Sequence, residues 1–167
     1  MIDQSGKTVW ITGASSGIGE ALAKTFVANG GSAVLSGRNL AELQRVADET
    51  GAAERCLILP FDTQDFACLP AMLDKALNFQ GQVDVLVNNA GISQRSLAVE
   101  TDFAVYERIV GVDLLAPIAL TQALLPHLLA RGAGQLVMIS SVAGKAGVPM
   151  RTAYCAAKHG LIGYSDA

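Results

Sequence analysis

Tyr154 and Lys158 stand four residues apart in Tyr154-Cys155-Ala156-Ala157-Lys158. On a helix that spacing puts a phenol and an ammonium on one face, within reach of a shared site. A tyrosine at its reference pKa of ~10 is a poor proton carrier near neutrality. A cation ~4 Å away in a partly screened site favours the phenolate by about 4 kcal/mol, roughly three pKa units, which makes the group useful at physiological pH. Most tyrosine–lysine pairs on helices do nothing chemical, so the pair needs company to carry weight.

A second group of residues suits phosphate. Thr12-Gly13-Ala14-Ser15-Ser16-Gly17-Ile18-Gly19 lies between a β-branched run and a helical pattern. Gly13 permits a tight turn, Gly17 lets backbone approach a pyrophosphate, and Gly19 removes a side chain where helix and strand pack. The helix that follows offers free N–H groups and a positive dipole end. Three glycines alone make only a connecting turn; the position after a strand and before a helix favours dinucleotide binding, with Ser15, Ser16 and Ile18 in the same loop. At the end of the second strand, Leu35-Ser36-Gly37-Arg38-Asn39 holds a cation and no acid. A carboxylate there would hold the ribose hydroxyls of NAD, whereas a guanidinium pairs with a 2′-phosphate, so NADP is favoured over NAD. The plain alternative for Arg38 is a solvated surface arginine.

The elements that must place these groups alternate. Thr8–Thr12, Ser32–Ser36, Cys56–Leu59, Val83–Val87 and Gln135–Ile139 read as strands. Helices are expected from about Gly17 to Asn29, from Leu40 to Glu49 with Asn39 as N-cap, within 62–78, and from about Phe103 to Leu129. Strict alternation predicts an α/β fold with a doubly wound parallel sheet, and the aliphatic runs at Val83–Val87 and Gln135–Ile139 predict strands covered on both faces. There is no internal repeat or linker, so residues 1–167 read as one domain.

Composition bounds the rest. The chain has 167 residues, 51% of them hydrophobic and 16% charged, with a net charge of -3. Disorder and low complexity are excluded, and no basic surface is available for nucleic acid or anionic lipid. Cys56, Cys68 and Cys155 form no metal or CxxC pattern and read as buried thiols in a reducing compartment. His127 and His159 stand alone, and no metal site is expected. Met1–Lys7 lacks the pattern of a signal peptide. Leu114–Ala130 is nearly all apolar, but Thr121, Gln122, His127, Pro117 and Pro126 interrupt it and it falls short of ~20 residues. It is expected to be a helix buried on most sides, inside the protein or at a subunit contact, rather than a membrane span, in a cytoplasmic protein.

The Thr12–Gly19 loop, Asn88-Asn89-Ala90-Gly91 and Tyr154-xxx-Lys158 with Ser141 upstream together resemble the short-chain dehydrogenase/reductase family, with its TGxxxGxG, NNAG and YxxxK motifs. The resemblance covers all 167 residues. It implies a Rossmann fold with a cofactor at the crevice above the first and fourth strands, and hydride transfer between NADP(H) and a carbonyl/alcohol substrate. Tyr154 would be the general acid/base and Ser141 would orient the substrate oxygen, with Ser140 a bystander. Lys158 would lower the tyrosine pKa and bond the nicotinamide ribose. Asp62 would bond the adenine amino group, a helix-initiating turn being the alternative, and Asn89 would help shape the cofactor floor. Asp113 stands where the family usually has a catalytic asparagine. Pro117, which lacks an N–H, leaves the carbonyl of residue 113 free to hold a relay water; a merely structural aspartate is the other reading.

Relatives continue with two further strands and a lid, so five of seven strands are expected, with a domain incomplete at its C-terminus and a bare fifth strand. Homo-oligomers through the Leu114–Leu129 and Tyr154-bearing helices are implied by the resemblance. The alternative function is a truncated, catalytically inactive dinucleotide-binding or interaction protein.

Overall fold

Short aliphatic runs form the strands, and the longer periodic stretches form the helices that cover them. The computed structural model describes residues 3–167; Met1 and Ile2, where the N-terminal segment read above begins, lie outside the described residues. In chain order the elements are β1 (Thr8–Thr12), α1 (Gly17–Ala28), β2 (Ser32–Gly37), α2 (Leu40–Glu49), β3 (Cys56–Pro60), α3 (Leu69–Gln80), β4 (Val85–Asn88), α4 (Phe103–Val110), α5 (Ala116–Arg131), β5 (Gln135–Met138) and α6 (Thr152–Asp166). The strands pair in parallel in the order β3-β2-β1-β4-β5, with Trp10 of β1 opposite Val34 of β2 and Leu86 of β4. The chain winds one way from β1 to β3 and the other way from β4 to β5. The order therefore reverses at β1, and a crevice opens beyond the C-terminal ends of β1 and β4.

Period-two alternation splits the core between the two faces of the sheet. Val9, Ile11 and Leu35 pack with Ala23 and Val27 of α1 and Leu43 and Val46 of α2. Trp10, Val34 and Leu86 pack on the opposite face with Leu69 and Ala76 of α3 and Leu120, Leu124 and Leu128 of α5. Trp10 is fully buried, and its indole N–H donates to Ser36 Oγ at 2.9 Å, so the polar handle is satisfied inside the sheet. Asn39 caps α2 as expected, accepting from the Glu42 N–H at 3.3 Å.

Three expectations need correction. Gln135 and Leu136 of β5 are exposed, so this strand is not covered on both faces as its aliphatic run suggested; it lies at the sheet edge, the bare fifth strand that the resemblance implied. On the α1 side, a hollow of about 620 Å³ runs along the sheet past Val85, Val87, Val137 and Ile139, because no described helix packs over that part of the sheet. The three thiols are free but only partly buried. The apolar stretch from residue 114 lies in a longer helix than expected, and within this chain its burial is partial. It belongs to a continuous helix over Phe103–Arg131, 29 residues, long and apolar enough by length and composition to cross a membrane. Here Leu120, Leu124 and Leu128 face the sheet while Leu115, Leu125 and Leu129 are exposed.

That helix changes character at Gly111–Leu115, where one π-helical turn joins α4 to α5 and the Ala116 N–H reaches back to the Gly111 carbonyl. Pro117 supplies the reason: without an N–H, and with its ring against the carbonyl four residues back, it cannot continue an ordinary α-helical ladder.

Two leucines on α5 test the assignment of its faces. Leu124→Ala is expected to lower unfolding free energy in urea by about 2–4 kcal/mol. Leu129→Ala is expected to stay within about 0.5 kcal/mol of the parent.

Candidate functional site

The crevice floor is built from the ends of β1 and β4. Thr12 Oγ1 accepts the N–H groups of Asn89 at 3.0 Å and Ala90 at 3.1 Å and donates to the Val87 carbonyl at 3.4 Å. The Asn89 amide donates back to the carbonyls of Thr12 at 2.9 Å and Gly13 at 3.1 Å. Both strand ends are thereby locked at fixed spacing. Gly13 has φ +65°, and a Cβ there would lie 2.9 Å from Ala90 Cα, so turn and close approach both call for glycine. A Cβ on Gly19 would run into the Gly13 carbonyl oxygen, which is why α1 can start directly over the loop. Ser16, the N-cap of α1, makes no side-chain cap bond, so the first N–H groups of α1 keep no side-chain partner.

These groups line a cleft of about 370 Å³ with Ser15, Ser16, Ile18, Arg38, Asp62 and Asn89 on its walls. The donors at the start of α1 and the adjacent Arg38 suit the phosphates of a dinucleotide. Asp62 does two things at once: it lines the cleft, and its Oδ1 accepts the Gln64 N–H at 3.0 Å, the turn that was its alternative reading. Arg38 forms no ion pair among the described residues.

Residues outside the recognised motifs hold this wall in place. Arg45 of α2 bonds Glu20, Glu42 and Glu49 at 2.8–3.0 Å and reaches the Ser15 carbonyl at 3.4 Å. Arg45 and Lys24 together hold the Glu20 carboxyl down at about 2. Arg108 of α4 also lines the cleft. Arg45 has helical ion-pair spacing to Glu42 and Glu49, but nothing in the sequence marks its reach to Glu20 and Ser15, or the place of Arg108 in the cleft.

Beside the cleft, α6 carries Tyr154 and Lys158. The Lys158 ammonium lies 5.6 Å from the centroid of the Tyr154 ring, and Arg151 lies 5.9 Å from the same ring. Lys158 is 4% exposed and donates to the Ile139 carbonyl at 3.0 Å. Its other partner is Asp113 Oδ2 at 3.2 Å. Asp113 is fully buried in the π turn, and its Oδ1 accepts the Ile92 N–H at 2.8 Å. Burial pushes the Asp113 carboxyl above the usual range, against the pull of the Ile92 N–H and the Lys158 charge. The sequence placed Asp113 by its backbone carbonyl; the structure adds a side chain in direct contact with the lysine.

Ser141 follows β5 and caps the turn Val142–Gly144, its Oγ accepting the Ala143 N–H at 3.1 Å. That contact leaves the hydroxyl proton available to a ligand oxygen. Ser141 and Tyr154 share no hydrogen bond among the described residues. Ser140, its neighbour, contacts the Lys158 carbonyl at 3.5 Å.

Gln94 escaped the sequence reading. Arg151, the N-cap of α6, makes no side-chain cap bond. The job falls to Gln94 on the loop after β4, whose Oε1 accepts the Tyr154 N–H at 3.1 Å while its Nε2 donates to Thr152 Oγ1 at 3.2 Å. A cap supplied from another loop leaves no local signature at the helix it caps.

Comparison with known proteins identifies the family. The family profile for short chain dehydrogenase matches residues 7–167. This chain belongs to the short-chain dehydrogenase family. It is 42% identical over 164 residues to dehydrogenase/reductase SDR family member 7 of Mus musculus, covering 95% of this chain and 48% of that protein. Over 168 residues it is 39% identical to family member 7B of Danio rerio, covering 96% and 54%. The chain spans about half the length of the curated relatives it matches. Among solved structures, a metagenomic short-chain oxidoreductase in complex with NADP superposes with TM-score 0.91 at 34% identity, covering 96% of this chain and 73% of that one. A short-chain dehydrogenase from Streptomyces avermitilis gives TM-score 0.92 at 33% identity, covering 99% and 60%.

Within the family frame, the β1–β4 clamp is open to a direct test. Asn89→Ala removes two bonds to the carbonyls of Thr12 and Gly13 and is expected to cost about 1–3 kcal/mol of stability, read as a lower Tm.

Proposed function

We propose that the chain carries the site of an oxidoreductase that uses NADP(H) on a carbonyl/alcohol substrate. The observation that carries this reading is the Lys158 ammonium 5.6 Å from the Tyr154 ring on α6, beside a glycine-loop cleft. When bound, the dinucleotide supplies or accepts the hydride.

The remaining chemistry belongs to the chain. Tyr154 gives a proton to the substrate oxygen during reduction and takes it back during oxidation. Ser141, its oxygen oriented by the Ala143 N–H, keeps its proton and donates a hydrogen bond to the same substrate oxygen. Lys158, held by Ile139 and Asp113, favours the phenolate by its charge and offers donors to the nicotinamide ribose. The loop Gly13–Gly19 and the start of α1 would hold the pyrophosphate, Asp62 would bond the adenine amino group, and Asn89 would form the floor.

Arg38 supports NADP over NAD, since no acid occupies the end of β2 and a guanidinium matches a 2′-phosphate in fork geometry. The solved relative in complex with NADP points the same way. Exposed Leu125 and Leu129 on α5 support self-association through α5 and α6.

NADPH oxidation with a panel of ketones tests the proposal. Tyr154→Phe is expected to lower turnover by about 10³-fold while nucleotide binding persists; retained turnover would sink the assignment. Arg38→Ala is expected to weaken NADPH binding by about 10–100-fold and leave NADH binding nearly unchanged, measured by calorimetry. Equal losses for both nucleotides would remove Arg38 from the specificity argument.

A further inference from the structure

The strongest unassigned feature is the side chain of Asp113. It is fully buried, and it lies on the π turn that Pro117 imposes, facing α6. One carboxylate oxygen accepts the Ile92 N–H at 2.8 Å. The other has no hydrogen-bond partner and faces Lys158 Nζ at 3.2 Å as an ion pair. Both charged groups are withdrawn from water, so neither is screened as a surface pair would be.

We propose that Asp113 is a built-in counter-charge, a positioning residue that holds the Lys158 ammonium and sets the pH at which Tyr154 releases its proton. The inference rests on Tyr154 as the proton-exchanging group. Tyr154 faces the Lys158–Asp113 ion pair as well as the Arg151 guanidinium. A lone ammonium near the ring would favour the phenolate strongly, whereas a carboxylate beside that ammonium offsets much of the effect. Asparagine at this position would keep the acceptor for Ile92 and nearly the same volume while removing the charge.

The other charged and titratable groups around Tyr154 stay the same when the Asp113 charge alone is removed. Arg151 is the other cation at the Tyr154 ring, and it also donates to Ser93 Oγ at 2.7 Å. From α4 come Tyr106, hydrogen-bonded to Thr152 Oγ1 at 2.7 Å, and Glu107 and Arg108, neither in an ion pair among the described residues. The loop after β5 brings Lys145, also without an ion pair among the described residues. On α6 itself, Cys155 contacts Val148 and His159 bonds the Cys155 carbonyl. At the alkaline pH where a phenol ionises, the Asp113 carboxyl is an anion, so its charge acts in the range that matters.

The test is an ultraviolet titration of tyrosinate on the 167-residue protein without nucleotide or substrate, Tyr154 being isolated by subtracting the Tyr154→Phe titration. Asp113→Asn is expected to move the Tyr154 midpoint to lower pH by about one unit. An unchanged midpoint, or a shift to higher pH, overturns the proposal. A residue that only packs would change Tm without moving the midpoint. Asp113→Ser repeats the measurement if the asparagine variant does not fold. Turnover does not enter this readout, so failure of the oxidoreductase reading and failure of the counter-charge are told apart.

Discussion

An ammonium taken out of water needs oxygen atoms in place of its lost hydration, and the architecture around Lys158 answers that need. The lysine is 4% exposed and meets two groups, the Ile139 carbonyl at the end of β5 and the Asp113 carboxylate on the π turn. An unpaired charge at such a site would cost several kcal/mol. The position of α6 is therefore tied to two elements that come before it in the chain. Gly160 of α6 lies close against Leu114 of the π turn, which allows the close approach the ion pair requires.

The same economy of short polar links holds the nucleotide side of the crevice. Thr12 and Asn89 join β1 and β4 through main-chain groups that have no further strand residues to pair with at the crevice. Gln94, a few residues later on that loop, caps α6 at Tyr154. One loop thus fixes both the floor of the cleft and the start of the helix that carries the phenol. A shift of that loop would move both parts together, which keeps the distance between them constant.

The long helix links packing to chemistry. Leu120, Leu124 and Leu128 bind α5 to the sheet through apolar burial, while Pro117 disrupts the ladder one turn before them. The wider turn that results turns Asp113 inward, where its two oxygens are divided between Ile92 and Lys158. Apolar contact anchors the helix, and a local defect in its hydrogen bonding places the charge.

Local pattern sufficed for much of this. The five strands, their alternation with helices, the glycine loop and the Asn39 cap all follow from residue type and near-neighbour spacing, because backbone sterics and side-chain periodicity act over a few residues. Tyr154 and Lys158 were legible for the same reason, being one helical turn apart. Other features depended on distant segments: the Gln94 cap joins the loop after β4 to the start of α6, and the Arg45 clamp spans two helices. The aliphatic run of β5 looks like a covered strand, yet an edge position is a property of the sheet and not of the run. Asp113 shows the division most clearly. Its identity and the effect of Pro117 on the neighbouring ladder are written in the sequence, but the pairing of its carboxylate with Lys158 required the folding of α6 against the π turn, since electrostatic contact depends on distance in space and not on separation along the chain.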